Sequence, residues 1–447
     1  MTDGESATGA RSGAPIDVAL EEAGLPPLPR TAWLAIDLER LAGNLAALRG
    51  AVPAGVRIEP VVKADAYGHG SVPIARALAA AGADGLCVAT FDEAVELRAA
   101  GLTLPLLVLY PIPPTLATDA ARKRIAVSVG DEVLLARTLA SLADDPPAEP
   151  LAEPLAVHLE IETGLGRGGV LPGRAAAAAR AIAASPRAEL IGAWSHLSEA
   201  DGPARTTGQV DQFDRTAALL AAEGAPVRRW HLAASGGLFA ASVRLYDSVR
   251  CGLSVYGVLP DGLPIASARA SAAAALRPVM SLRARPVRVV DLPAGSGVSY
   301  GARWVATRPS RIATLPIGYA DGFSRIRSNR SEALVRGHRV PLVGSVAMDA
   351  VMADVTDVPG TPVSVDDEFV LLGEQGTERI DAVDLARIGT TISWEVLAGM
   401  ARRLPRVYYA AAGPIGLRTL TEERGQWPTP YPDRADRGAS AERPPTT

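Results

Sequence analysis

Short apolar runs alternate with alanine-rich segments between residues 58 and 257. The apolar runs have the length and character of buried strands and lie at 58–64, 85–90, 104–110, 124–129, 155–162, 190–197, 228–234 and 249–257. Helical patterns fill the segments between them, including 72–81, 92–100, 131–143, 173–184 and 207–222. This alternation predicts an α/β fold and favours a parallel (β/α)8 barrel of the TIM type, although a doubly wound sheet has the same alternation.

The pattern changes at about residue 275. From there to residue 381 the chain carries alternating β-like runs separated by glycine and proline turns, with little helical periodicity. We therefore predict a barrel over 30–272, followed by a mostly β C-terminal domain over 273–415.

Both ends of the chain and one internal insert lack these patterns. Residues 1–29 and 416–447 are rich in Gly, Ala, Pro and charged residues, and we expect a disordered leader and a disordered tail. The Pro- and Glu-rich insert at 144–154 is predicted to form a surface loop.

Composition excludes several classes of protein. The net charge of −4 comes without a basic stripe, so we expect no nucleic-acid partner. Cys87 and Cys251 are the two cysteines, which favours a reducing compartment over a disulfide framework. The sequence shows no signal-peptide pattern and no apolar stretch long enough for a bilayer, so we expect a cytoplasmic protein without a membrane partner.

Lysine is scarce in this chain, with Lys63 and Lys123 the only two among 447 residues. Lys123 lies between two arginines at a polar helix end and is typical of a surface lysine. Lys63 ends an apolar strand, which in a barrel places its amine at the carboxyl end, where barrel enzymes keep their active sites. A lysine desolvated there can form a Schiff base with an aldehyde.

The segment VVKADAYGHG around Lys63 resembles the cofactor-lysine segment of alanine racemases. Further segments resemble that family in the same order: TGLGRGG, WSHLSEAD, HLAASGG, SVRCGLSVYG, SYGARW, IGYADG and VPLVGSVAMD. The resemblance covers roughly residues 30–415. It implies a pyridoxal 5'-phosphate (PLP) isomerase that interconverts L- and D-alanine by a two-base mechanism and supplies D-alanine for peptidoglycan. It also implies a head-to-tail homodimer whose active sites combine the barrel of one subunit with the β domain of the other, and no metal.

By this resemblance Lys63 binds the cofactor and serves as one catalytic base, and Tyr300 from the partner subunit serves as the other. The resemblance assigns the cofactor contacts to Tyr67, Arg167, His196, Ser235, Arg250, Gly252, Leu253 and Trp394. Ser235, Gly236 and Gly237 follow predicted strand seven, and Gly252 and Leu253 fall within predicted strand eight. The loops after strands seven and eight commonly bind phosphate in such barrels. Each glycine alone would be read as a simple turn.

Arg250 is expected to face the ring nitrogen of the cofactor and, because it stays charged, to leave that nitrogen unprotonated. His196 is expected to support this arrangement by linking Arg250 toward Tyr300. Arg167 and the backbone N–H of Met348 are expected to bind the substrate carboxylate, and Tyr319 to line the entrance.

Four positions depart from the family pattern. Glu160 replaces a lysine that is carbamylated in many members, and we expect its carboxylate to orient Arg167 without CO2 chemistry, with a water bridging the gap where its shorter reach requires one. Trp394 replaces a tyrosine that touches the phosphate, and an indole cannot accept a hydrogen bond. Ser345 and Ala234 replace an arginine and an asparagine, so activity on serine or other small amino acids is an alternative prediction.

Two other classes of protein stay open at this point. A related barrel enzyme, such as a D-amino-acid aldolase or decarboxylase, is disfavoured by Tyr300 and the Met348–Asp349 segment. A non-catalytic PLP carrier would resemble the barrel alone, so the β-rich domain argues against it.

Overall fold

The computed structural model describes residues 15–144, 151–200, 202–225 and 227–427. The chain forms two compact units. The β unit contains the described residues of Met1–Asp37, Ser281–Glu378 and Ala401–Gln426, and the barrel unit contains those of Leu38–Met280, Arg379–Met400 and Trp427–Thr447.

The strands, in chain order, are β1 (Ala32–Asp37), β2 (Arg57–Ile58), β3 (Leu86–Val88), β4 (Leu106–Val108), β5 (Ile125–Val129), β6 (Leu155–Glu160), β7 (Ala188–Trp194), β8 (Arg229–Ala234), β9 (Ser248–Arg250), β10 (Met280–Ala284), β11 (Arg288–Leu292), β12 (Gly297–Val298), β13 (Trp304–Val305), β14 (Ser310–Leu315), β15 (Glu332–Val335), β16 (His338–Val343), β17 (Val351–Asp354), β18 (Phe369–Gln375), β19 (Glu378–Ile380), β20 (Arg406–Ala410), β21 (Gly413–Arg418) and β22 (Glu423–Gly425).

The helical elements are α1 (Ile16–Glu22), α2 (Leu38–Ala51), α3 (Lys63–Tyr67), α4 (Ser71–Ala80), α5 (Phe91–Ala99), α6 (Ala117–Arg122), α7 (Glu132–Asp144), α8 (Pro172–Ala183), α9 (Pro203–Ala222), α10 (Ser235–Phe239), α11 (Ala270–Ala275), α12 (Ala382–Gly389) and α13 (Ser393–Ala398). Short 3-10 turns cover Pro114–Leu116, Leu253–Tyr256, Ser267–Arg269, Tyr300–Ala302, Tyr319–Asp321 and Arg325–Arg327.

The barrel unit is built on a parallel sheet with the strand order β2-β9-β8-β7-β6-β5-β4-β3. The two edge strands of this sheet also meet. Val61, just after β2, forms a parallel bridge with Cys87 of β3, and the Cys87 N–H donates to Pro60 O at 2.9 Å. The sheet therefore closes, which confirms the predicted barrel and excludes the doubly wound alternative.

The predicted helices between the barrel strands are confirmed to within one residue at each end, apart from the last. That helix was expected at 207–222, but α9 begins at Pro203. Proline suits the first turn of a helix, because its fixed φ is helical and its missing N–H has no partner there in any case. The same residue type opens α8 at Pro172.

The β unit contains a large sheet in the order β11-β14-β17-β16-β15-β18-β10-β1-β20-β21-β22. Most of its pairings are antiparallel, as in β14 with β17, which confirms the predicted β-rich texture. β1 pairs in parallel with β20, with Leu34 opposite Arg406. The compact units therefore do not follow chain order: β1 belongs to the β unit, whereas 379–400 belongs to the barrel unit.

The predicted leader and tail are corrected where the structure describes them. Within 1–29, α1 buries Ile16 and Leu20 against Trp33 and Val407, because an apolar pair four residues apart shares one helix face. Within 416–447, β21 continues to Arg418 and β22 follows it. Residues 1–14, 145–150 and 428–447 lie outside the described residues, and with them most of the predicted 144–154 loop.

Two kinds of feature are absent from the described residues. No helix among them is both long enough and apolar enough to cross a bilayer. No group of three or more His, Cys, Asp or Glu side chains among them is arranged to hold a metal ion.

Candidate active site

Lys63 lies just beyond the first barrel strand, at the carboxyl end of the sheet, as predicted. It opens a turn in which the next four residues have φ between 52° and 54°. Gly68 ends this turn at φ +79°, and a Cβ added there would lie 2.3 Å from the Leu397 carbonyl oxygen. Glycine is therefore required where α13 packs on the lysine turn.

A cavity of about 350 Å³ opens beside this turn. The residues that line it are Lys63, Ala64, Tyr67, Ile392, Trp394 and Ala398. The structure thus brings Trp394 together with Lys63 and Tyr67, although they lie far apart in the sequence. A cavity of this size, with an amine among largely apolar walls, suits a small organic molecule.

The environment of Lys63 favours the neutral amine. Burial lowers the pKa of Lys63, the positive charge of Arg167 lowers it further, and Glu93 partly opposes both effects. A lysine with a lowered pKa is a better nucleophile and a better base at neutral pH than an exposed one.

Ser235, Gly252 and Tyr67 converge at the ends of β8 and β9. The Ser235 hydroxyl accepts hydrogen bonds from the backbone N–H groups of Gly252 and Ser254, both at 3.1 Å. A Cβ on Gly252 would lie 2.5 Å from the Tyr67 hydroxyl oxygen, so only glycine lets these two groups approach. Leu253 opens the 3-10 turn that follows. The structure therefore brings together Ser235, Gly252 and Tyr67, and their role in binding a phosphate stays a prediction.

Arg250 is buried, with only 2% of its surface exposed, and extends over the face of Trp194 at 4.7 Å from the ring centroid. Its guanidinium contacts His231 Nδ1 at 2.7 Å and donates to Ser195 O at 2.8 Å. Burial lowers the pKa of Arg250, but a guanidinium stays charged at neutral pH.

The charge on Arg250 fixes the protons on two histidines behind it. Because Arg250 can only donate, His231 must accept at Nδ1 and carry its proton on Nε2. That Nε2 lies 2.9 Å from His158 Nδ1, so His158 accepts in turn. Burial lowers the pKa of His158 to about 3, and that of His231 well below its ordinary value. Gly192 makes room for this pair, since a Cβ there would lie 2.5 Å from His158 Nδ1.

The supporting role expected of His196 stays a prediction. The imidazole that contacts the Arg250 guanidinium is that of His231. Burial, followed by the charge of Arg250, lowers the pKa of His196 to about 3, so this ring is neutral at neutral pH. Its backbone carbonyl accepts from Gln209 at 3.1 Å, and Gln209 also donates to Thr163 at 3.2 Å, which ties together the loops after β6 and β7.

Arg167 and Glu160 meet at the mouth of the barrel, as predicted. Glu160 Oε1 lies 3.7 Å from Arg167 Nη2, an ion-pair distance that is longer than a direct hydrogen bond. Burial raises the pKa of Glu160, and the positive charge of Arg167 partly offsets this. The Arg167 guanidinium also lies 5.7 Å from the Tyr110 ring centroid. Arg167 is therefore a cation anchored beside the lysine cavity.

Tyr300 lies in the β unit, and 74% of its surface is exposed. Its turn is firmly held: Ser345 donates to the Tyr300 carbonyl at 3.0 Å, and Ser299 donates to the Ser345 carbonyl at 2.7 Å. Ser299 itself has φ +63°, an uncommon value for a residue other than glycine. The β unit thus presents the Tyr300 side chain outward from a rigid support.

Met348 and Tyr319 share a second exposed rim of the β unit, with 51% and 41% of their surfaces exposed. The Tyr319 N–H donates to Ala347 O at 3.0 Å, which joins the two segments. Beneath them, Asp321 is fully buried. Its carboxylate accepts two hydrogen bonds from the Arg30 guanidinium, at 2.7 and 3.1 Å, and one from the Arg403 guanidinium at 2.7 Å.

Three groups in these sites were not among the predicted residues: His231 with His158, Gln209 and Asp321. Four of the five histidines of the chain lie in the barrel unit, and this clustering was the available signal for the histidine pair. Gln209 is buried in α9, but its local sequence does not distinguish it from a surface residue of that helix. Asp321 lies inside the matched IGYADG segment, where its spacing from Tyr319 alone does not reveal a buried charge.

Residues 36–260 match the family described as "Alanine racemase, N-terminal domain", and residues 279–408 match "Alanine racemase, C-terminal domain". An alanine racemase from Symbiobacterium thermophilum is 38% identical over 384 residues, which cover 85% of this chain and 97% of that protein. The alanine racemase of Bacillus anthracis, solved with bound L-Ala-P, is 29% identical with a TM-score of 0.79, over 88% of this chain and 99% of that one. A histidine racemase from Leuconostoc mesenteroides is 28% identical with a TM-score of 0.75, over 86% of this chain and 99% of that one.

Proposed function

The chain belongs to the alanine racemase family, an isomerase family that uses PLP, and from that premise we propose that it interconverts L- and D-alanine with Lys63 and Tyr300 as its two bases. The observation that carries the proposal is Lys63: a barrel lysine with a lowered pKa in a cavity of about 350 Å³. The product D-alanine would then supply peptidoglycan synthesis.

The residues around the cavity fit PLP. Lys63 supplies the amine that an aldehyde requires. The Ser235 oxygen accepts from the N–H groups of Gly252 and Ser254, so its hydroxyl proton is left to donate to a phosphate. Because Gly252 has no side chain, the space beside the Tyr67 hydroxyl stays open, and any larger residue at position 252 would fill it. When bound, PLP withdraws electrons from the substrate Cα and so makes its proton removable.

Racemisation requires that a proton leave one face of Cα and return to the other. We assign one face to Lys63, since burial and Arg167 keep a share of its amine neutral and able to accept a proton. We assign the other face to the hydroxyl of Tyr300, which the β unit presents to the exterior.

We propose that Tyr300 acts in the site of a partner subunit within a homodimer. Tyr300, Tyr319 and Met348 are large side chains left exposed on the β unit, a pattern typical of a surface that another chain covers. The hydrogen bonds from Ser345 and Ser299 hold Tyr300 in place before any partner arrives, which reduces the entropy lost on assembly.

We assign the control of cofactor electronics to Arg250. Arg250 keeps its proton and its charge, because burial holds the pKa of His231 well below its ordinary value and lowers that of His158 to about 3. With PLP bound, this permanent cation would disfavour protonation of the ring nitrogen. It would thereby limit electron withdrawal by the ring and favour return of the proton over side reactions.

We assign the substrate carboxylate to Arg167 and to the backbone N–H of the partner's Met348, with Tyr319 at the entrance. The Arg167 side chain is 41% exposed, so it stays available to an incoming anion while Glu160 restrains it. An arginine binds a carboxylate best when its planar fork is already oriented.

A broader racemase for small amino acids, such as serine, is the second candidate. Ala234 and Ser345 are smaller than the residues expected from the resemblance, and Ser345 is used to hold the Tyr300 turn. Both candidates share the same bases, and they differ only in the relative kcat/KM for alanine and serine.

The test is to incubate the protein and PLP with L-alanine in D2O and to follow optical rotation and deuterium at Cα. Loss of rotation with deuterium uptake is the expected result. Cleavage products would instead identify an aldolase or a decarboxylase, and cofactor absorbance without exchange would identify a carrier. A parallel run with L-serine ranks the two candidate substrates.

Mixing two inactive variants tests the shared site. Lys63→Ala and Tyr300→Phe each remove one base, so each homodimer is expected to be inactive. After subunit exchange, heterodimers contain one site with both bases intact, and about a quarter of wild-type activity should return. No recovery after verified exchange would place both bases in one subunit and refute the shared site.

A further inference from the structure

The turn that carries Lys63 is held in an unusual backbone conformation. Its left-handed residues are Ala64, Asp65, Ala66 and Tyr67, with φ from 52° to 54°, and none of them is glycine. Residues with a side chain rarely adopt this conformation, because Cβ then crowds the following carbonyl oxygen. The surrounding structure must therefore hold the turn.

Backbone hydrogen bonds account for part of this support. The Ala66 N–H donates to Val62 O at 2.9 Å, and the Gly68 N–H donates to Ala64 O at 3.0 Å. The Ala64 N–H is the first donor after the lysine, and it points away from the turn. It donates to Glu93 Oε1 at 2.6 Å, so a side chain from another segment holds the residue next to Lys63.

Glu93 also closes the capping box at the start of α5. Its Oε2 accepts from the Ala89 N–H at 2.7 Å and from the Thr90 N–H at 3.1 Å, while the Thr90 hydroxyl accepts from the Glu93 N–H. One carboxylate therefore joins the loop after β3 to the turn after β2. These strands are the two edges of the sheet that meet when the barrel closes.

From this geometry we propose that Glu93 is a positioning residue for the racemase reaction: it fixes the left-handed turn so that the Lys63 amine enters the cavity. A residue that only caps α5 would need one carboxylate oxygen, and here the second oxygen is committed to the lysine turn. The inference rests on the proposed function, because it assigns Glu93 a role in placing the proposed base.

The charge of Glu93 agrees with this position. Burial and Arg167 lower the pKa of Lys63, and Glu93 is the strongest influence in the opposite direction. Glu93 thus limits how far the pKa of the Lys63 amine falls, and it also holds the backbone next to Lys63.

The experiment uses the other lysine as an internal standard. The full-length chain, cleared of cofactor with hydroxylamine, is exposed to limiting PLP and reduced with borohydride, and the label on Lys63 is divided by that on Lys123. Lys123 is exposed, so its reactivity should not respond to changes at the cavity. The ratio is measured for wild type, Glu93→Ala, Glu93→Asp and Thr90→Ala, together with kcat and KM for alanine.

Loss of the hydrogen bond in Glu93→Ala should lower the labelling ratio about tenfold to a hundredfold, and the lower Lys63 pKa without the Glu93 charge should offset only part of this loss. Glu93→Asp keeps the charge and the capping position, but its side chain is one methylene too short to reach both the Ala64 N–H and the Ala89 N–H. Its labelling ratio should therefore fall nearly as far as that of Glu93→Ala. Thr90→Ala disturbs the same capping box without touching the bond to Ala64, and its ratio should stay within about twofold of wild type. In the Glu93 variants kcat should fall more than KM rises.

Two outcomes would overturn the inference: a wild-type ratio in Glu93→Asp, or an equal loss in Thr90→Ala. If Glu93→Ala does not fold, Glu93→Asp still decides the matter, because it retains the helix cap. An unaltered protein that takes no label at Lys63 would refute the proposed function itself. Label at Lys63 that is indifferent to Glu93 would refute only the positioning role.

Discussion

Replacing Asp321 with asparagine should weaken the β unit and loosen its exposed rim. The Asp321 carboxylate accepts two hydrogen bonds from Arg30, one from Arg403 and one from the Gly318 N–H at 3.0 Å. An asparagine keeps one acceptor oxygen and turns its NH2 group toward a guanidinium. Arg30 then loses the anion that neutralises it, whereas Arg403 keeps its ion pair with Asp349 at 2.7 Å.

The expected cost follows from the burial of the three partners. Removing one member of a buried ion pair costs about 3–5 kcal/mol, because an uncompensated charge remains. Asp321 is fully buried, but the side chains of Arg30 and Arg403 are 23% and 32% exposed, so water can rehydrate them in part. We therefore expect about 3 kcal/mol, the lower end of that range.

Urea denaturation of Asp321→Asn and wild type, followed by near-UV circular dichroism, gives the change in free energy of unfolding. Asp291→Asn is the matched control, since Asp291 also pairs with an arginine, Arg311, but its side chain is 75% exposed. The control should lose no more than about 1 kcal/mol.

Because Tyr319 follows Gly318 directly, Asp321→Asn should also raise KM for alanine. Equal losses in the two variants would refute the argument from burial.

The pH dependence gives an independent check. Burial opposes the ionisation of Asp321, but hydrogen bonds from Arg30, Arg403 and Gly318 outweigh it and lower the pKa of this carboxyl. A carboxyl with a lowered pKa contributes stability above its unfolded pKa and loses it as the pH falls through the folded value. The difference between wild type and Asp321→Asn should therefore be constant from about pH 5 to pH 8 and shrink only below about pH 4.

Two further substitutions test the barrel. Glu160→Gln removes the anion 3.7 Å from Arg167 and should raise KM for alanine about threefold to tenfold. Because burial raises the pKa of Glu160, the wild-type KM should rise as the pH falls toward that pKa, and the variant should lack this rise. Identical pH profiles of KM in the two proteins would reject the role of Glu160. Gly192→Ala places a Cβ 2.5 Å from His158 Nδ1 and should lower the free energy of unfolding by about 2–4 kcal/mol from overpacking and a broken imidazole contact. Gly173→Ala, where a Cβ meets nothing within 4 Å, is its control and should unfold like wild type in urea; a matching loss in the control would show that the effect does not arise from His158.

The barrel strands could be predicted because strands buried on both faces consist of nearly continuous apolar residues, as in β4 and β5. The pairing of β1 with β20 could not be predicted this way, since it joins Leu34 to Arg406 and no local pattern encodes so distant a partner. Composition misled at the N-terminus, where Ile16 and Leu20 form a buried helix face inside a Gly- and Ala-rich segment.

Within the candidate site, chemistry was easier to predict than conformation. Lys63 was marked by its rarity and by the strand before it. The left-handed turn after it was not, because its first glycine is Gly68 and the conformation depends on Glu93 and Leu397 from elsewhere in the fold. The contact between Arg250 and His231 could not be predicted either, because it depends on the pairing of β8, which carries His231, with β9, which carries Arg250.

The return of Arg379–Met400 to the barrel unit affects when this protein can first hold a ligand. Chains emerge from the ribosome N-terminus first and fold largely in that order. Every barrel strand is complete once Arg250 has been made, yet Ile392, Trp394 and Ala398 still have to be added before the wall beside Lys63 exists. The cavity beside Lys63 is therefore complete only after Ala398 has been made, and a chain truncated before Arg379 would carry the Lys63 amine in a barrel that lacks this wall.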